Sequence, residues 1–282
     1  DGGGNMQKND KFIFFMKRYG RIIIAGTVLV LIIVIAVFAP LIATHDPNKV
    51  NIYEAKITPN NEYLMGTDAY GRDIFSRVIY GSRISLIISI SVNVFAIIIG
   101  TTIGLLSGYF SFADKIMMRI MEAINAMPML LLAIVLVTVL GPGTGKLIAC
   151  LTIVNLPGIS RLVRSQVLSI KEQEHVESAR ASGASNFRII FKYILPLCYS
   201  PLIIRFANGL ASTILTQASL SFLGVGLDPR IPSWGGIIGE GRTLVMVYPH
   251  MCTYAGFAII ITVLAFSILG DGVRDVLDPK LR

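Results

Sequence analysis

Charge is what this sequence has least of. Of its 282 residues only 15% are Asp, Glu, Lys or Arg, whereas a soluble globular domain carries roughly 25%. The deficit falls in long apolar runs, which excludes a chain of two or three soluble domains and points to membrane spans. Cysteine is scarce as well. Cys150, Cys198 and Cys252 lie in or beside apolar segments without short spacing, so a disulfide framework and a zinc site are excluded and the three read as small buried hydrophobes. The histidines, His45, His175 and His250, are scattered, and no metal site is expected. A phosphate loop of the G-x4-G-K-S/T type is missing, so this chain is not expected to hydrolyse ATP or to bind a cofactor of its own. The net charge of +8 raises nucleic acid as a partner, but no basic stripe interleaved with aromatics occurs on a polar segment.

What is present is a series of apolar runs, each near the ~20 residues needed to cross a bilayer. The first is Ile22–Ala43 and the second Ile84–Leu106. The third starts amphipathically near Ile116 and ends at Leu140. The fourth, from Leu147 to about Val167, is interrupted by Pro157 and Gly158. The fifth runs from about Leu197 to Leu215 and the sixth is Met251–Leu269. The expected fold is an all-α membrane protein with six transmembrane helices and both termini on one side. Asp1–Asn5, ahead of Met6, read as an expression remnant, and the first apolar run, which has no small-residue cleavage site, reads as a retained anchor.

Charge chooses the side. Lys8, Lys11, Lys17, Arg18 and Arg21 directly precede the first run. With the N-terminus in the cytoplasm, about 16 Lys and Arg lie inside and about 8 outside. Arg72, Arg77 and Arg83 count against this, but they share their segment with Asp68 and Asp73. The expected organisation is a cytoplasmic tail (6–21), the first helix with an extracytoplasmic segment (22–83), a five-helix core (84–270) and a cytoplasmic tail (271–282).

Two extracytoplasmic segments are long enough to have structure. His45–Arg83 is Asn-rich and broken by Pro47 and Pro59, and its end, Asp73–Tyr80, suits a short amphipathic helix on the membrane face. Ser221–Tyr248 is rich in Gly and Pro, with Trp234 and Tyr248 as interface anchors. Asp68 and Asp73 lie close enough to Arg72 and Arg77 to pair with them and shape the outer loop, and no catalytic constellation emerges. Gly100, Gly104 and Gly108, at four-residue spacing in the second span, form a stripe that lets another helix approach closely. That helix is either in the same bundle or on a partner subunit.

The most informative stretch is the polar loop between the fourth and fifth spans, which is too long for a simple connector. It contains Glu177-Ser178-Ala179-Arg180-Ala181-Ser182-Gly183 and later Ile194-Leu195-Pro196. Glu172, Glu174 and Glu177 suit a helix start, Arg188 and Lys192 a helix end. Gly183 suits a break between two short helices, and Pro196 marks re-entry into the bilayer. Phe187, Ile190 and Phe191 suit an apolar face for a partner groove.

This loop resembles the "EAA" motif of ABC importer permeases, E-A-A-x3-G-x9-I-x-L-P. Glu177, Ala179, Gly183, Leu195 and Pro196 match in register, while Ser178 and Tyr193 depart mildly. Gly66–Asp73 with Ser76-Arg77 and Gly81–Leu86, Ser219–Gly224, Pro232–Gly235, and Gly270–Gly272 with Arg274-Asp275 and Asp278-Pro279 resemble blocks of the C-type permease of dipeptide, oligopeptide and nickel importers. Gln217 departs from the acidic residue often found there.

The resemblance implies a type I ABC importer permease fold. An outer loop or short helix would lie between helices 1 and 2, and a cytoplasmic coupling helix between helices 4 and 5. It implies a bacterial or archaeal cytoplasmic-membrane protein working as a heterodimer with a second permease, with two cytoplasmic ATPases that use ATP and Mg, and with an extracytoplasmic solute-binding protein. The docking residues would be Glu177, Ser178, Ala179, Arg180, Ala181, Gly183, Phe187 and Pro196. Glu177 would cap or brace the docking helix, and Ala179 and Ala181 would keep its surface low. Arg205, a charge inside the fifth span, faces either a pathway or the headgroups, and with Gln217 it is a candidate pathway residue. The substrate is expected to be a di- or oligopeptide, with nickel or a metal chelate as the alternative. A secondary transporter would show broken, charged helices in repeated halves, and an intramembrane enzyme facing ionisable groups. Neither pattern occurs.

Overall fold

In the computed structural model the backbone is described for residues 3–277 and the side chains for 20–276. Asp1 and Gly2, the side chains of Lys8, Lys11, Lys17 and Arg18, and the Asp278-Pro279 ending lie outside the described residues. Among those described there is no strand, only an isolated bridge between Thr67 and Asp73.

Five helical stretches are long and apolar enough to cross a membrane: Gly20–Val37, Ile74–Tyr109, Thr144–Ile170, Asn186–Phe222 and His250–Val276. The first belongs to helix α1 (Gly3–Val37), which is followed by the single turn α2 (Ala39–Ile42). The second is α3 (Ile74–Tyr109). It begins ten residues before the expected second span, and Asp73–Tyr80 is therefore not a separate surface helix. Asp73 is the N-cap of α3, its side chain accepting hydrogen bonds from the Ser76 backbone N–H at 2.9 Å and Ser76 Oγ at 2.6 Å. Capping satisfies donors that a helix start leaves orphaned, so the membrane helix extends well beyond its apolar run.

The expected third span is not one helix. Helices α4 (Ser111–Asn125) and α5 (Met129–Leu140) meet at 93°. Pro128 is the cause, because the residue before a proline is pushed out of helical conformation. Helix α6 (Thr144–Ile170) runs on through Pro157 and carries Arg161 and Arg164 within it. Next come α7 (Glu174–Ala181) and the short α8 (Asn186–Arg188). A π-helical stretch (Ile189–Ile194) and a 3-10 turn (Leu195–Cys198) then lead into α9 (Tyr199–Phe222). The chain is thus already helical before Pro196, which sits in the first turn of the 3-10 segment. Helices α10 (Trp234–Gly241) and α11 (His250–Leu277) complete the fold.

The glycine stripe explains the closest helix pair. A Cβ at Gly100 would lie 2.8 Å from Ile159, one at Gly104 2.5 Å from Val163, and one at Gly108 2.6 Å from Val167. All three contacts are on α6 of the same chain. The stripe is consumed within the bundle and is not open to a partner subunit, which corrects the second reading given for it. Around this seam Val163, Val167, Ile170, Leu105, Val176, Ile189, Ile190 and Ile194 form one buried cluster, so the segment carrying α7 is packed onto the ends of α3 and α6. At the other end Trp234 is 2% exposed and donates from Nε1 to Val78 O at 3.0 Å. It is a core residue tying α10 to α3, not an interface anchor.

Candidate coupling surface and translocation path

The segment around α7 is held rigidly. Val176 is fully buried and Ala179 is 8% exposed, and Val176 joins the buried cluster at the α3–α6 seam. Ser182 caps the helix C-terminus and Gly183, at φ +80°, follows in the left-handed region. The Gly183 N–H donates to Arg180 O at 3.0 Å and the Ala184 N–H to Ala179 O at 3.1 Å. This pair of bonds is a Schellman motif, and glycine is the residue that adopts its left-handed position without strain. The bend expected at Gly183 is present, with this cause.

The expected docking residues divide into groups. Glu177, Ser178, Arg180, Ala181 and Gly183 are exposed. Ala179 is 8% exposed but lines the floor of a recess beside α7, whereas Ala181 is exposed outside it. Gln173 is the N-cap of α7, and Glu177 forms no side-chain hydrogen bond or ion pair among the described residues, so it does not cap the helix. Its charge lies in the first turn, where it favours the helix dipole. His175, Ser178, Gly183, Ala184, Arg188 and Tyr193 border a shallow polar recess of about 560 Å³. Phe187 and Phe191 lie away from that recess. Their rings sit 4.4 Å apart and line an apolar groove of about 840 Å³ with Ile97, Leu105, Leu202 and Phe206. Ile190, grouped with them in sequence, is 5% exposed. Pro196 is exposed.

Helices α6 and α9 each present an open polar face. On α6 Gly158, Arg161, Ser165 and Ser169 are exposed and recur at three- to four-residue spacing, which is one side of a helix. On α9 Asn208, Ser212 and Ser219 are exposed and Arg205 is half-buried, again along one side. Ser165, Ser212 and Ser219 are satisfied within their own helices, Ser165 Oγ donating to Leu162 O at 2.9 Å, Ser212 Oγ to Gly209 O at 3.0 Å and Ser219 Oγ to Leu215 O at 2.8 Å. The two faces meet where Arg205 crosses Gly158: a Cβ there would lie 3.2 Å from Arg205 Nη2. Gln217 belongs elsewhere. It is 1% exposed, with Nε2 buried and unpartnered, and it does not line the open face.

At the α10 end the structure adds a group that the sequence did not reveal. Arg72 Nε donates to Asp68 at 2.6 Å, as expected, but both Arg72 and Arg77 also bond Glu240 of α10. Asp73, expected to join these arginines, instead caps α3. Nearby, Tyr63 donates to Glu54 at 2.6 Å, and this bond, followed by burial, pushes the phenol up to about 12. Glu240 lies 163 residues from Arg77 in a segment read as a Gly/Pro-rich loop, and no local pattern pointed to it.

Residues 96–282 match the family described as "binding-protein-dependent transport system inner membrane component". The chain belongs to this family. The permease also matches, over residues 21–62, the N-terminal membrane domain of oligopeptide transport permease C. It is 40% identical to the glutathione transport system permease protein GsiD of Pectobacterium atrosepticum, over 95% of this chain and 91% of that protein. It is 38% identical to the dipeptide transport system permease protein DppC of Alkalihalophilus pseudofirmus, over 95% and 89%. A putative peptide transport permease of Brucella suis is 41% identical over 91% and 87%. Among solved structures, the inward-facing MetNI methionine ABC transporter superposes with a TM-score of 0.60 at 20% identity, covering 72% of this chain and 96% of that one. That likeness is one of fold, and the type I importer permease architecture fits this chain. The permease is accordingly a multi-pass membrane component of a binding-protein-dependent ABC transport system, related to transport permeases.

Proposed function

We propose that this permease forms half of the translocation pathway of an ATP-driven importer of di- or oligopeptides, alongside a second, homologous permease subunit. Its end-to-end likeness to peptide and glutathione permeases is the observation that carries the reading, and it favours peptides over nickel or a metal chelate. The α7 end, with α1 entering there, is the cytoplasmic side, in keeping with its excess of Lys and Arg. The α10 end faces the solute-binding protein.

Two cytoplasmic ATPases, using ATP and Mg, dock on the exposed residues of the α7 segment: Ser178 and Gly183 at the recess, together with Glu177, Arg180 and Ala181 of the same segment and with Phe187 and Pro196 outside the recess. Ala179 lines the floor of the recess. Helix α7 shares one buried cluster with the π-helical stretch and with α3 and α6 through Val176, so a displacement of α7 is passed to both, because close-packed elements shift together. ATP binding drives the pathway only if these contacts differ between the inward- and outward-open states. The polar faces of α6 and α9, which include Arg205, line the pathway.

Purification of the intact complex with its solute-binding protein, followed by mass spectrometry of the bound solute, tests the substrate. A peptide is expected, and a metal chelate would overturn the peptide reading.

A further inference from the structure

We infer that Arg161 and Arg205 together form a carboxylate-binding station in the pathway, at which an anionic end of the transported solute is held. The inference rests on the reading of the chain as a peptide-pathway subunit and goes beyond it by naming the group recognised.

Both guanidiniums converge on one turn of α6. Arg161 Nε donates to Pro157 O at 3.2 Å. Arg205 Nη2 lies over the next residue, Gly158, where the missing side chain leaves it room. The two arginines come from different helices, yet they share this turn on the open face. Neither has a carboxylate partner among the described residues. The nearby acid, Asp114 of α4, is bound in two-pronged fashion by Arg164 at 2.5 and 2.7 Å. Arg164 shows what the common arrangement looks like: a membrane arginine matched to its own carboxylate.

A cation in a membrane helix is costly and faces a cavity, a partner or the headgroups. Two cations on one turn repel each other as well. That arrangement is stabilised when an anion visits, and the attraction grows as water is excluded. The planar fork of each guanidinium fits a carboxylate in bidentate geometry. A peptide carries such a group at its C-terminus, and its N-terminal ammonium would be repelled from the same place. The station therefore selects one end of the solute and gives it a direction in the pathway. Exposed Ser165, one turn further along α6, continues the polar wall but bears no charge.

The test uses the complete complex in proteoliposomes, with uptake of alanine di- and tripeptides, each as the free acid and as the C-terminal amide. The solute-binding protein is the same throughout, so its own preference cancels when variants are compared. In the Arg161→Gln/Arg205→Gln variant the acid-to-amide uptake ratio is expected to fall by about tenfold, equivalent to ~1.4 kcal/mol. The Arg161→Lys/Arg205→Lys variant, which keeps the charge, is expected to hold most of the ratio. An unchanged ratio in the Gln variant, or acid and amide uptake falling together, overturns the station. Should the double variant fail to assemble, Arg161→Gln alone, altered at an exposed position, must lower the ratio; if it does not, the station is equally refuted. A wild-type complex that takes up neither form would instead refute the peptide reading on which this inference stands.

Discussion

Arg77 Nη2 donates to both carboxylate oxygens of Glu240, at 3.2 and 3.1 Å, across 163 residues of sequence. The Arg77 side chain is 2% exposed, and Arg72 shares the same carboxylate. Removing one partner of a buried ion pair leaves a charge uncompensated. Glu240→Ala should therefore cost about 3 kcal/mol, read as a lowered Tm of the purified permease in detergent. An unaltered Tm would mean that Asp68 alone compensates both arginines.

The glycine seam makes a sharper steric prediction. At Gly104 a Cβ would meet Val163 at 2.5 Å and Ser160 O at 2.8 Å, and the backbone oxygen cannot swing aside. Gly104→Ala should push α3 from α6 and destabilise by about 1–3 kcal/mol. Gly26→Ala, with nothing within 4 Å, should change stability by no more than about 0.5 kcal/mol. Equal Tm values for the two variants would remove the seam from the account of the fold.

Gly183 separates conformation from docking. Alanine at φ +80° is strained by about 1–2 kcal/mol but keeps the N–H that bonds Arg180 O. Proline fixes φ near −65° and has no N–H, so it dismantles the Schellman motif. Gly183→Ala should retain the ATPases on co-purification and Gly183→Pro should lose them, with the main unfolding transition of the permease unmoved. ATPase recovery with the proline variant would count against docking at α7.

Trp234 is the only tryptophan in the chain, so intrinsic fluorescence reports on it alone. Buried at 2% exposure, it should emit toward the blue and resist quenching by iodide and by brominated lipid alike. Trp234→Phe removes the donor to Val78 O and should cost about 1 kcal/mol. Strong quenching by brominated lipid would return Trp234 to the membrane interface.

Much of the fold was readable because lipid imposes a simple rule. Backbone polar groups must be satisfied inside a span, so long apolar runs become helices. The apolar runs accordingly mark the long helices and the bent α4–α5 pair. Their ends were less readable. Asp73 and Arg77 fall by polarity in a short surface helix outside the second span, yet one caps α3 and the other is buried within it by pairing with Glu240. The break after α4 had a local signal in Pro128 that the apolar pattern around it masked. The α7 segment was the most legible part of the candidate site, because its glycine and its acidic start act locally.

What the sequence by itself determined are properties of short range and of composition: the membrane environment, the near-number of spans, the polar segment between α6 and α9 and its bend at Gly183. These follow from hydrophobicity, backbone conformation and charge along neighbouring residues. Only the tertiary structure decided which faces meet. It turned Gly100, Gly104 and Gly108 onto α6, sent Gln217 inward, joined Glu240 to Arg72 and Arg77, and set Arg205 beside the turn that carries Arg161. Such contacts join residues distant in sequence, and helix rotation and packing select them, so no pattern along the chain encodes them locally.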